Sequence, residues 1–237
     1  MFINSLGTDL RMWDAQANSL GRHFRVVRYD SRGHGESDVP GEATTLEQLG
    51  LDLVALLDHL RIERANLCGL SLGGITAQWI AVHHPQRIRR AVFANTTARH
   101  GSRESWEARI ATVRAQGMAG VSDATVGRFL GAAFRAEHPD VARDILEMVE
   151  ATPPAGYIAA CVALRDADLR KDVRRIDVPV LVVVSDDDVS APASQGAELH
   201  AAIAGSECVT LRGAAHLSNV VRAEEFTNHV ARFLGAS

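Results

Sequence analysis

Cysteine is scarce in this chain: Cys68, Cys161 and Cys208 are its only three, odd in number and widely spaced among 237 residues. That spacing excludes a disulfide framework and the usual zinc-ligand patterns, so buried, reduced thiols in a cytoplasmic protein are expected. Positive charge is also short. Lys and Arg number 25 against 29 Asp and Glu, a net charge of −4, without the basic excess of a nucleic-acid-binding domain. Long apolar runs are missing too. The longest, residues 178–184, is interrupted by Pro179 and falls far short of the ~20 residues that span a bilayer. The first residues, MFINSLGTDLRMW, have neither the basic start nor the apolar core of a secretory signal. No internal repeat or low-complexity tract is present. What these absences leave is a small-molecule partner, with no nucleic acid and no membrane.

What is present is alternation. Short apolar runs at 2–4, 25–29, 65–68, 90–94, 180–184 and 207–211 read as strands separated by helical patterns. The expected fold class is α/β, a mostly parallel sheet with helices on both faces. Residues 180–184 read VLVVV, the signature of a strand buried on both faces. Thr45 with Gln48 three residues on suggests a capping box, and Leu46, Leu49, Leu53, Leu57 and Leu60 follow at helical spacing. A second helix starts just after Ser71 and stops at Pro85, and a last one covers 223–234. From 99 to 170 the strand signal disappears. Helical patterns there are broken by Gly117, Gly120, Gly127, Gly131, Pro139 and Pro153-Pro154. That segment is expected to be a helical cap inserted between core segments 1–98 and 171–237.

Gly69-Leu70-Ser71-Leu72-Gly73 fits G-x-S-x-G, with a strand before it and a helix after it. In that context the serine sits on a sharp, strained elbow, its hydroxyl exposed at a helix N-terminus. A phosphate-binding loop is excluded, because neither G-x-G-x-x-G nor G-K-[ST] occurs here. A serine needs a base. Of ten histidines, His216 lies between the last strand and the last helix; the other nine are expected to be solvated or to cap helices. The base needs an acid. Strand 180–184 empties into Ser185-Asp186-Asp187-Asp188, where Asp188 is the first choice and Asp187 the second. An oxyanion hole would use the N–H of Leu72, the residue after the serine, and that of Leu6 in the loop Asn4-Ser5-Leu6-Gly7.

Several stretches carry a narrower resemblance. Tyr29-Asp30-Ser31-Arg32-Gly33-His34-Gly35-Glu36-Ser37 is similar to a loop common across α/β-hydrolases. NSLGTDL through Trp13, CGLSLGG, Asn95-Thr96 and Asp166-Ala167-Asp168-Leu169-Arg170 resemble the 3-oxoadipate enol-lactonases over essentially the whole chain. The resemblance implies an α/β-hydrolase fold, no metal or organic cofactor, and enol-lactone opening in bacterial aromatic breakdown. Ser71 would be the nucleophile, His216 the base and Asp188 the acid. The substrate's free carboxylate would need a cation, with Arg128, Arg135 and Arg99 as candidates, while Trp106 would wall the apolar side. Another carboxylesterase or lactonase, a haloperoxidase-like hydrolase, or a non-catalytic binding protein would share the same core.

Two departures from that family carry expectations. The chain starts almost at the oxyanion loop, without two strands the family has before it; taken as the whole protein, residues 25–29 should form a sheet edge, for which a partner, a compensating dimer or other homo-oligomer, or a truncated gene model would account. The acid loop starts with serine where glycine is usual, and repulsion among its three acids should raise one pKa.

Overall fold

The Thr45 hydroxyl accepts the Gln48 N–H at 3.1 Å, and the Gln48 side-chain carbonyl accepts the Thr45 N–H at 2.8 Å. This reciprocal cap starts a helix over Leu46–His59 whose Leu49, Leu53 and Leu57 are buried. The computed structural model describes residues 1–39, 41 and 44–236. Its sheet has strands β1 (Phe2–Ile3), β2 (Ala65–Leu70), β3 (Ile88–Ala94), β4 (Val180–Ser185) and β5 (Glu207–Leu211), paired in that order and all parallel. Every residue of β4 is buried, as its unbroken apolar sequence requires.

Helices α1 (Asp14–Leu20) and α2 (Leu46–His59) lie between β1 and β2, and α3 (Leu72–His83) joins β2 to β3. Between β3 and β4 there is only helix: α4 (Arg103–Gln116), α5 (Ser122–Leu130), α6 (Ala132–Glu137), α7 (Pro139–Ala151) and α8 (Pro154–Asp166). Pro139 and Pro154 open α7 and α8, where a missing N–H costs nothing. Gly117 and Gly131 end α4 and α5. Helix α9 (Ala193–Ala202) joins β4 to β5, and α10 (Ser218–Val221) and α11 (Ala223–Leu234) close the chain. Among the described residues no helix is long and apolar enough to cross a membrane.

Three expectations are corrected. Residues 25–29 are not a strand. They lie beside β1, but only Arg28 bridges Phe2, and the Phe2 N–H donates to the Val27 carbonyl at 2.9 Å. A two-residue β1 offers too short a ladder to extend the pairing, and the Arg28 side chain is drawn away to Asp14. Gly127 breaks nothing and sits inside α5. Of the three free thiols Cys68 and Cys161 are buried, but Cys208 is exposed, because β5 is the last strand of the sheet and leaves most of its residues in solvent.

In a parallel sheet all C-terminal strand ends face one edge, where ligands bind. The loops after β1, β2, β3, β4 and β5 therefore bring Asn4–Leu6, Ser71, Asn95–His100, Asp186–Asp188 and His216 to the same rim.

Candidate active site

Ser71 ends β2 at φ 57 and ψ −113, a left-handed backbone that costs a non-glycine residue about 1–3 kcal/mol. Two glycines make the elbow sterically possible. A Cβ on Gly69 would lie 2.1 Å from the Gly73 carbonyl oxygen, and one on Gly73 would lie 2.1 Å from the Ile3 carbonyl oxygen. The start of α3 thus rests directly on the end of β1. The same contact sets Leu72, the first residue of α3, beside the loop that carries Leu6. As the first helical residue Leu72 has no intrahelical acceptor for its N–H, and the Leu6 N–H makes no hydrogen bond among the described residues. Leu6 lines the same cavity as Ser71, and Leu72 follows Ser71 directly in the chain.

Behind the cavity, His216 Nδ1 meets Asp188 Oδ2 at 2.8 Å, both side chains buried. Asn95 Nδ2 donates to the same oxygen at 2.9 Å, and the Ser190 and Ala191 N–H groups donate to Oδ1 at 2.8 and 3.0 Å. Burial alone would raise the Asp188 pKa. The adjacent imidazole, the Ala191 N–H and the Asn95 amide outweigh it and hold the carboxyl below its usual value. The rise expected from acid repulsion therefore does not occur at Asp188. The three carboxylates also part company: Asp186 takes the Gly213 N–H at 2.7 Å, while Asp187 is exposed.

The loop holding His216 is tied to α5. The His216 N–H donates to the Arg128 carbonyl at 3.3 Å and the Leu217 N–H to the Phe129 carbonyl at 2.8 Å, which satisfies two C-terminal helix carbonyls. The Phe129 ring stacks on the imidazole with centroids 5.6 Å apart.

Ser71 and His216 line one cavity of about 200 Å³, with Leu6, Trp106 and Arg128 among the other walls. No hydrogen bond joins the Ser71 hydroxyl to His216 here, a link that commonly tightens only with substrate bound. An imidazole with one nitrogen held by a carboxylate can take a proton on the other, and the serine stands across the same space.

Arg135 does not reach the cavity: it leaves α6 to pair with Asp123 at 2.7 Å. Arg99 is exposed and lines a separate groove of about 860 Å³ with Arg170 and Arg174. The cation that sequence reasoning missed is Arg109. It lines the cavity beside Arg128, its guanidinium carbon 5.1 Å from the Trp106 ring centroid. The signal was available, since Arg109 follows Trp106 by three residues and so shares its helix face. Among the described residues no carboxylate pairs with Arg109 or Arg128. Burial, then the charge of Arg109, pulls the Arg128 pKa down. The buried Tyr157 hydroxyl lies near Arg109 and Thr125 and meets no hydrogen-bond partner in good geometry among the described residues, and burial raises its pKa. The Ser5 hydroxyl at the other end is also unpartnered.

His100 was missed as well. It and His34 are buried, whereas the other seven histidines apart from His216 are exposed or half-buried as expected. Burial, with His216 adding repulsion, pushes the His100 pKa down to about 3, so it is neutral in the cavity wall.

The family whose sequence profile is described as alpha/beta hydrolase fold matches residues 1–223. The chain is 37% identical over 230 residues to 3-oxoadipate enol-lactonase 2 of Acinetobacter baylyi, covering 97% of this chain and 86% of that protein. The structure of the enol-lactonase from Burkholderia xenovorans LB400 is similar at a TM-score of 0.97 and 45% identity, covering 98% of this chain and 89% of that one. A malate-bound thermophilic esterase from Thermogutta terrifontis is similar at a TM-score of 0.93 and 29% identity, covering 98% and 88%.

Proposed function

This chain belongs to the 3-oxoadipate enol-lactonase family of alpha/beta hydrolases, and from that premise we propose that it opens 3-oxoadipate enol-lactone to 3-oxoadipate through an acyl-enzyme on Ser71. The observation that carries this reading is one cavity holding both a glycine-flanked serine beside a carboxylate-held imidazole and two arginines without a carboxylate partner.

His216 Nε2 takes the Ser71 proton as Oγ attacks the lactone carbonyl. Asp188 fixes the proton on Nδ1 and stabilises the imidazolium that forms. The carbonyl oxygen becomes an oxyanion between the Leu6 and Leu72 N–H groups, each worth about 3 kcal/mol in the transition state. The ring C–O bond then breaks. The enolate oxygen leaves, receives the proton from His216, and the enol becomes a ketone. Water, deprotonated by the same imidazole, attacks the acyl-enzyme; the acyl–Oγ bond breaks, the imidazolium returns the proton to Ser71 Oγ, and the acid formed loses its proton to solvent as the second carboxylate. Atoms and protons balance with one water consumed.

The substrate's free carboxylate meets Arg109 and Arg128, with the Tyr157 hydroxyl as a third donor. Charged hydrogen bonds of this kind contribute about 1.5–3 kcal/mol. The half-buried face of Trp106 borders the apolar ring atoms. In this reading helices α4 to α8, within residues 99–170, act as a cap that supplies substrate contacts over a core that supplies the chemistry.

The test is hydrolysis of the enol-lactone beside neutral aryl esters, together with labelling by a fluorophosphonate. The proposal expects Ser71 to be labelled and the lactone to be preferred. Labelling with aryl-ester turnover but no lactone turnover would transfer the chain to another esterase or lactonase activity. No labelling of folded protein would leave a binding role.

A further inference from the structure

We propose that His100 is a positioning residue for Ser71, acting through Thr96. The inference rests on Ser71 being the nucleophile and adds a support that the triad does not include.

Proton bookkeeping gives the direction of the chain of bonds. The Thr96 hydroxyl lies 2.9 Å from the Ser71 carbonyl oxygen and 3.0 Å from His100 Nε2. A carbonyl only accepts, so the single Thr96 proton is committed to Ser71. Thr96 Oγ1 must then accept from His100, and Nε2 carries the imidazole proton. The order is His100 N–H to Thr96 O–H to Ser71 C=O. It ends on the peptide group of Ser71, whose backbone is held at φ 57 between β2 and α3.

The parts are built to stay in register. Thr96 is pressed against α3, where a Cβ on Gly74 would come within 2.6 Å of the Thr96 Cβ. The His100 carbonyl accepts the Trp106 indole N–H at 2.8 Å, which joins the turn after β3 to α4. His100 lines the substrate cavity, so a ligand touching its ring also touches the support of the serine. Without the imidazole donor, Thr96 is free to rotate its hydroxyl away from Ser71, and the strained elbow loses a restraint.

The experiment compares H100Q, whose amide nitrogen reaches the position of Nε2, with H100N, whose amide stops near Nδ1 and cannot reach Thr96. T96V and T96S are the matching pair at the middle of the chain. Ser71 phosphonylation by a fluorophosphonate is timed, and kcat and KM are separated with a neutral aryl ester. H100N and T96V should each slow phosphonylation about tenfold, the worth of one net hydrogen bond, with KM within about twofold. H100Q and T96S should recover most of the rate, and the double variant H100N/T96V should be no slower than the slower single. Nitrogen NMR of the imidazole should show one neutral tautomer, protonated at Nε2. Equal rates for H100Q and H100N, multiplying effects in the double variant, or a proton on Nδ1 would each overturn the role of His100 while leaving the nucleophile intact. If wild-type Ser71 takes no label at all, the nucleophile reading fails and this one fails with it.

Discussion

The Arg128 carbonyl accepts the His216 N–H at 3.3 Å, so a residue lining the Ser71 cavity and the proposed base are joined through backbone. With Phe129 stacked on the imidazole, the last turn of α5 is a clamp on the base as well as a wall of the cavity. F129A should therefore affect both stability and rate. A buried Phe to Ala change costs about 3 kcal/mol, and kcat should fall more than KM rises. Chemical denaturation and steady-state kinetics measure the two effects; a loss of stability with unchanged kcat would remove the clamp.

Replacing Ser71 by alanine should abolish phosphonylation and lower kcat by at least ~10³-fold, with the fold retained. Circular dichroism and the lactone assay check this together. Turnover close to wild type would place the nucleophile elsewhere.

The acid loop gives a sharper contrast. D188N removes the acceptor that holds the Nδ1 proton of His216 and should cost on the order of 10⁴ in kcat. D187N changes an exposed side chain and should stay within about twofold. Comparable losses in both would undo the assignment of the acid.

Arginine truncations separate substrate binding from chemistry. R109A or R128A should raise KM for the carboxylate-bearing lactone about 10- to 100-fold, with little change for a neutral aryl ester. R135A, whose guanidinium is turned to Asp123, should leave both substrates unaffected. A uniform effect on charged and neutral substrates would move the carboxylate elsewhere.

Acid sensitivity follows from the buried histidine. Unfolded histidine takes its proton near 6.5, and folded His100 only near about 3. Between those values the unfolded chain binds one more proton, so stability falls as pH drops, by about 1.4 kcal/mol per unit from this site. Burial lowers the His34 pKa in the same direction. H100Q should flatten the decline between about pH 6 and about pH 4 by roughly that slope. Urea unfolding across the range measures it, and parallel slopes would mean that His100 is not held neutral.

The elbow, the late-loop histidine and the strand-free segment were legible because each depends on local chain chemistry. A glycine-flanked serine between strand and helix admits few backbones, and Pro139 and Pro154 fit the first turn of a helix but not its interior. Residues 25–29 misled because strand pattern says nothing about the length of the neighbour, here a β1 of two residues. Arg109 was legible from its spacing to Trp106 on one helix, whereas the turn of Arg135 toward Asp123 is set by the packing of α6 against α5. His100 was hidden for a related reason. Its burial comes from the cavity it shares with Ser71, Tyr157 and His216, residues distant in sequence.

Gly73 has no room for a methyl group against the Ile3 and Asn4 carbonyl oxygens. The spacing between the start of α3 and the loop after β1, which carry the two proposed oxyanion donors, is therefore a rigid gauge, cut once by backbone contact. Mutational drift can reshape the helical roof and with it the repertoire of acyl compounds admitted. It cannot retune the seat of the carbonyl at this glycine, which makes the roof the part of the molecule open to new substrates.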